Sequence, residues 1–178
     1  MEDRLPSLED SRERSEPADH VARIQAQWAR ERPDLDTSAL GIIGRLHRLA
    51  DVLDGELRPV FEAAGISDGD FDVLAALRRS GGPFELTPGQ LAATTIITSG
   101  AVTKRVDRLV AAGLVTRTVA DHDGRVRRVA LTTAGRDLVD RLVEQHYANE
   151  ERLLAVFSAD EREALTRLLA RWTQHLGA

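Results

Sequence analysis

Leu86-Thr87-Pro88-Gly89-Gln90-Leu91-Ala92 is the stretch on which the reading of this chain turns. A hydroxyl residue, then proline, with glutamine three places after the hydroxyl, is the pattern of a helix start. Thr87 takes the N-cap, Pro88 the first helical position, and Gln90 reaches back to the cap. The helix it opens is short, over about residues 88–94. Thr98 or Ser99 caps a second helix, which runs to Ala112 and stops at Gly113. Two short helices joined by a tight turn predict a helix-turn-helix.

Beyond Gly113 the period changes. Leu114-Val115-Thr116-Arg117-Thr118-Val119 is β-branched and alternating, Asp121-His122-Asp123-Gly124-Arg125 is turn chemistry, and Val126, Val129 and Leu131 lie on a return strand ending at Thr132. A hairpin directly after the second helix of the pair is a wing. Upstream, Ser67 with Asp70 three residues on predicts another capped helix, buried through Phe71, Leu74 and Leu77 and stopped by Ser80-Gly81-Gly82-Pro83.

Long helices flank this region. Leu40, Ile43, Leu46, Leu49, Val52, Leu53, Leu57, Val60 and Phe61 recur at helical spacing over residues 36–64, with Pro59 predicting a kink or restart and Gly65 a stop. Before it, Val21, Ile24 and Trp28 mark an extra amphipathic helix over residues 18–31, ended by Pro33. After the wing a helix runs from about Thr133 to Val156. Ser158-Ala159-Asp160-Glu161 opens the last helix, which carries Leu165, Leu168, Leu169, Trp172 and Leu176. The expected fold is mainly α with a small β-hairpin wing: a winged helix-turn-helix over residues 67–132, between long helices at 36–64 and 133–177. Residues 18–178 read as one domain. Residues 1–17 read as a disordered acidic tail, since residues 1–19 hold seven acids, three arginines and two prolines.

Composition excludes several functions. The 178 residues include no cysteine, which removes disulfides, Cys-ligated zinc and thiol chemistry. Aromatics at 4% are too few for base-stacking platforms on single strands. His20, His47, His122, His146 and His175 show no metal-ligand spacing, so no metal or cofactor is expected. No nucleotide, hydrolase or metalloprotease signature is present. With no apolar leader and no long apolar run, the chain reads as a cytoplasmic protein without membrane contact.

The formal net charge is −5, yet residues 84–132 hold seven basic and four acidic side chains, a local excess of +3. On the second helix of the pair, Val102, Val106, Leu109 and Val110 share a face that should be buried. Gly100, Lys104 and Arg108 fall opposite, flanked by Ser99 and Thr103. Small polar residues at the leading end, with basic residues behind them, suit insertion into a DNA major groove. Arg125, Arg127 and Arg128 cluster at the hairpin tip, where an arginine suits a narrow minor groove and Asp123 can brace Arg125. The expected DNA-facing set is Thr87, Ser99, Gly100, Thr103, Lys104, Arg108, Arg125 and Arg127. Arg105 instead sits at the edge of the buried face, where it needs an anion or a carboxylate such as Asp72.

In this order and spacing, the Thr87 helix start, Val102-Thr103-Lys104-Arg105-Val106-Asp107-Arg108-Leu109-Val110, Gly113-Leu114-Val115, Asp123-Gly124-Arg125 and Leu131-Thr132-Thr133-Ala134-Gly135 resemble the multiple-antibiotic-resistance regulator (MarR) family of winged-helix transcription factors. The resemblance covers roughly Leu40 to Leu176. Gly124 stands where the family's wing often has its first arginine, which leaves open whether Arg125 or Arg127 enters the groove. The resemblance implies a homodimer on a pseudo-palindromic DNA operator. Trp28, Asp72 and Arg105 further resemble the three ligand positions of the family's urate-responsive branch, which implies a repressor released by urate or a similar small anion. Other organic acids, phenolic compounds, an activator, or a winged-helix interaction module without a DNA role are the alternatives.

Overall fold

The computed structural model describes residues 19–95, 102–119 and 127–177, which divide into two compact units at Asp54–Gly55. In the N-terminal unit, α1 (His20–Glu31) starts at Asp19, whose carboxylate accepts from the Ala22 N–H at 2.8 Å. That backbone bond, and then the Arg45 guanidinium, hold the Asp19 carboxyl below the usual carboxylate range. Arg45 belongs to α2 (Leu40–Glu62), so one acid caps the first helix and ties it to the second. Val21, 3% exposed, packs where Gly44 leaves room for it. Beyond the unit boundary α2 continues through Pro59, where the sequence predicts a kink or restart. The proline lacks the N–H that would reach the Gly55 carbonyl, but the helix persists.

The second unit is built around α3 (Asp68–Arg79). Its expected stripe is buried, and so are Gly69, Asp70, Asp72, Val73 and Ala76, which makes it a central helix covered on nearly every side. The Ser67 capping box forms as the sequence predicts: the Asp70 N–H donates to Ser67 Oγ, and the Ser67 N–H donates back to Asp70 Oδ2, both at 3.2 Å. Around α3 pack α4 (Pro88–Thr94) and α5 (Val102–Ala111). The Thr87–Gln90 capping box is also present.

The wing is a three-stranded antiparallel sheet rather than a hairpin alone. β1 (Glu85–Leu86) joins β2 (Val115–Val119) and β3 (Arg127–Leu131) in the order β1-β3-β2. Glu85 pairs with Ala130, Leu86 with Val129, and Val115 with Leu131. Two residues give no readable alternation, which is why β1 escapes a reading from sequence. Val129 and Val115 reach the core beside Leu74, Leu77, Leu91, Val106 and Leu109. α6 (Thr133–Leu153) adds Val139 and Leu142, and Phe61 of α2 stacks on Phe71 with ring centroids 4.5 Å apart. α7 (Ala159–Leu176) buries none of its residues within this chain. Among the described residues no helix is long and apolar enough to cross a membrane.

Candidate functional site

α5 carries the expected chemistry. A helix of ten residues does not hold alone in water. Burial of Val102, Val106 and Leu109, each at most 3% exposed, fixes it, and is worth about 5–8 kcal/mol by area. Val110 departs from expectation at 40% exposed. At about 100° per residue it falls some 75° from the centre of the face that the other three define, on the helix's edge.

Away from the buried face, Thr103 on the flank and Lys104 opposite are exposed. Ser99, Gly100 and Arg125, the remaining residues expected at the leading end of the helix and the wing tip, lie outside the described residues. The Thr87 hydroxyl is used in its own helix cap, where it accepts from the Gln90 N–H. Arg127 is exposed at the start of β3, whereas Arg128 is drawn back onto Glu85 of β1 at 2.9 Å. Asp107 of α5 pairs with Arg117 of β2 at 2.9 Å. Both pairs are partly solvated and worth about 0–1 kcal/mol each, so their role is to orient the wing rather than to stabilise it.

Two expectations need correction. Arg108 does not stand away from the protein: its Nη2 donates to Asp70 Oδ1 at 2.8 Å. Position 108 is only about 60° round the helix from Arg105, and a buried carboxylate draws any long cation within reach. The expected pairing of Arg105 with Asp72 does not form. Asp72, 7% exposed, has Arg79 Nη2 at 3.9 Å, and Arg79 also donates to the Thr94 carbonyl at the end of α4. Arg105 instead lays its guanidinium across the backbone at the start of α3. A Cβ on Gly69 would meet Cζ and Nε of Arg105 at 2.4 Å. A larger residue there would require the guanidinium to shift.

Arg105 Nη1 is fully buried and has no hydrogen-bond partner among the described residues. A charged donor left in that state normally costs more than a kilocalorie, roughly 1–3 kcal/mol. The polar groups beside it are those of the α3 start, a favourable place for negative charge. Trp28 lies on α1 of the N-terminal unit, 46% exposed.

This arrangement has relatives. A model of the MarR family matches residues 64–126. The HTH-type transcriptional regulator PecS of Dickeya dadantii (strain 3937) is 39% identical over 156 residues, 88% of this chain and 94% of that one. The chain belongs to the MarR family. Two solved structures agree in fold. BpsR of Bordetella bronchiseptica, described with regulation of its DNA binding by 6-hydroxynicotinic acid, superposes with a TM-score of 0.65 at 25% identity, covering 74% of this chain and 92% of that one. Ligand-free MarR of E. coli gives 0.58 at 29% identity, covering 72% of this chain and 95% of that one. As a MarR-family member, the chain is a DNA-binding transcriptional regulator and not an enzyme.

Proposed function

We propose that this MarR-family protein is a homodimeric repressor, acting in the cytoplasm, which leaves a pseudo-palindromic operator when a small organic anion of urate's class binds at Arg105. The buried, unpartnered Nη1 of Arg105 carries the reading. An anion accepting from it supplies the missing bond, and Gly69 opens the backbone beside it. The resemblance adds Trp28 and Asp72 as further ligand residues. That BpsR answers to 6-hydroxynicotinic acid, a flat aromatic acid, supports the same chemical class.

Surface chemistry supports the dimer. Ile42, Leu49 and Val52 of α2 and Leu168 and Leu176 of α7 are each more than half exposed in the single chain, more apolar side chain than a monomer ordinarily shows to water. In a two-fold dimer the two α5 helices read half-sites about one helical turn apart. The ligand acts only if it binds the released conformer more tightly than the DNA-bound one.

A mobility-shift titration on duplex from the gene's own upstream region tests this, with urate as the added probe. Binding that urate reverses at micromolar to millimolar concentration is the expected result. Binding that ignores urate removes that ligand and moves the search to nicotinate-like, citrate-like and phenolic acids. Lys104→Ala tests the groove face independently. If Lys104 meets a phosphate, the slope of log affinity against log salt becomes shallower by about 0.9 per half-site. An unchanged slope would place another helix in the groove.

A further inference from the structure

The start of α3 and the recognition helix are joined at two adjacent points. Arg105 lies over Gly69, and Arg108, three residues on along α5, bonds Asp70. Asp70 is 5% exposed, and its two oxygens have separate tasks. Oδ2 accepts from the Ser67 N–H at 3.2 Å and from the Ser67 hydroxyl at 2.7 Å, which closes the cap of α3. Oδ1 accepts from Arg108. One carboxylate thus fixes both the first turn of the central helix and the middle of the recognition helix. The Arg108 side chain is 55% exposed, so the protein does not need its charge for packing. A buried acid whose only ion pair among the described residues comes from the reading element points to control of that element.

We infer that Asp70 and Arg108 form a positioning clasp, which sets α5 at the height and angle that DNA requires, and that Arg108 does not itself contact the operator. This rests on α5 being the recognition helix. The clasp lies one residue from the Gly69–Arg105 contact, so an anion drawing on Arg105 loads the same joint. Asp70 and Arg108 are then positioning residues: they act through the placement of Thr103 and Lys104, and their loss lowers affinity without removing a phosphate contact.

The test is operator binding by the full-length protein, followed by fluorescence anisotropy across about 50–200 mM salt, where phosphate contacts register most strongly. Asp70→Asn keeps an acceptor for Ser67 and removes the charge that holds Arg108. Arg108→Gln alters a half-exposed side chain and leaves the core intact. Each is expected to weaken binding about tenfold, and the double variant about tenfold as well, because both remove one interaction. The salt slope should stay that of the wild type in all three, whereas Lys104→Ala makes it shallower. Ser67→Ala loosens the cap without touching Oδ1 and should change affinity less than about threefold, well short of a lost clasp. If Arg108→Gln flattens the salt slope as Lys104→Ala does, or if the Asp70 and Arg108 effects multiply to about a hundredfold, the clasp is wrong and Arg108 is a DNA contact. If Lys104→Ala leaves affinity and slope unchanged, the recognition-helix reading itself fails.

Discussion

Replacing Gly135 by alanine is expected to destabilise the protein by about 3–5 kcal/mol and lower its melting temperature by about 10 °C. A Cβ there would lie 2.0 Å from the Leu114 carbonyl oxygen and 2.9 Å from its carbon. Both partners are backbone, so no side chain can swing aside. The Leu114 carbonyl is also committed: it accepts from the Thr132 N–H at 3.1 Å, just after the last strand of the wing. Thr132 caps α6, its Oγ accepting from the Gly135 N–H at 3.0 Å, and its hydroxyl lies 2.9 Å from the Gly113 carbonyl. To admit a methyl group, the first turn of α6 must lift off the corner where α5 ends, and the β2–β3 pairing follows. Gly89→Ala is the matched control, since nothing lies within 4 Å of its would-be Cβ and its backbone is helical. It should be neutral or stabilising by up to about 1 kcal/mol. Thermal denaturation of the two variants side by side decides the matter. A Gly135→Ala protein melting with the wild type would mean that α6 is not seated on Leu114.

This contact shows what could be read from the sequence and what could not. The caps at Ser67, Thr87 and Ser158 form as expected, because a capping box is closed by side chains three residues apart. The change of period after Gly113 likewise announces the wing. The reason Gly135 must be glycine is different: it depends on Leu114, 21 positions away, and no local pattern encodes that approach. The same holds at the site. Helical spacing places Lys104 opposite the core and Arg105 at its edge, as observed. It cannot show that α3 is buried on nearly all sides, and so it misses that Asp70 needs a cation and takes Arg108 from 38 residues away. An aspartate in a capping box is ordinarily explained by the cap alone. Its burial was the missing signal, and burial of α3 comes from α4, α5, α6 and β3 closing over it together.

Arg105→Ala is expected to abolish release by anions while leaving operator affinity within about threefold of the wild type, the spread ordinarily seen for a site off the interface. The guanidinium lies on the protein side of α5, against Gly69, so its removal takes no contact from the groove face. Two charge-assisted hydrogen bonds from Arg105 to a bound anion, at about 1.5 kcal/mol each, correspond to about a 100-fold loss of ligand affinity. Stability moves the other way. The wild type keeps Nη1 buried without a partner, and deletion relieves that desolvation, offset by the lost packing of the arginine stem. The ligand-free variant should therefore melt at or slightly above the wild-type temperature. Adding the anion at a hundred times its dissociation constant stabilises the wild type by about 2.7 kcal/mol and leaves the variant unmoved. Arg105→Lys is the sharper comparison. It retains the charge but not the planar fork, and should recover only part of the response. A variant that lacks Arg105 and still releases DNA at the wild-type anion concentration would move the ligand to another site. A variant that instead loses DNA binding outright would show that the Gly69–Arg105 contact is needed to hold the recognition helix. Position and ligand response are then a single function of the α3–α5 joint, and an anion would act by competing for the arginine that seats it.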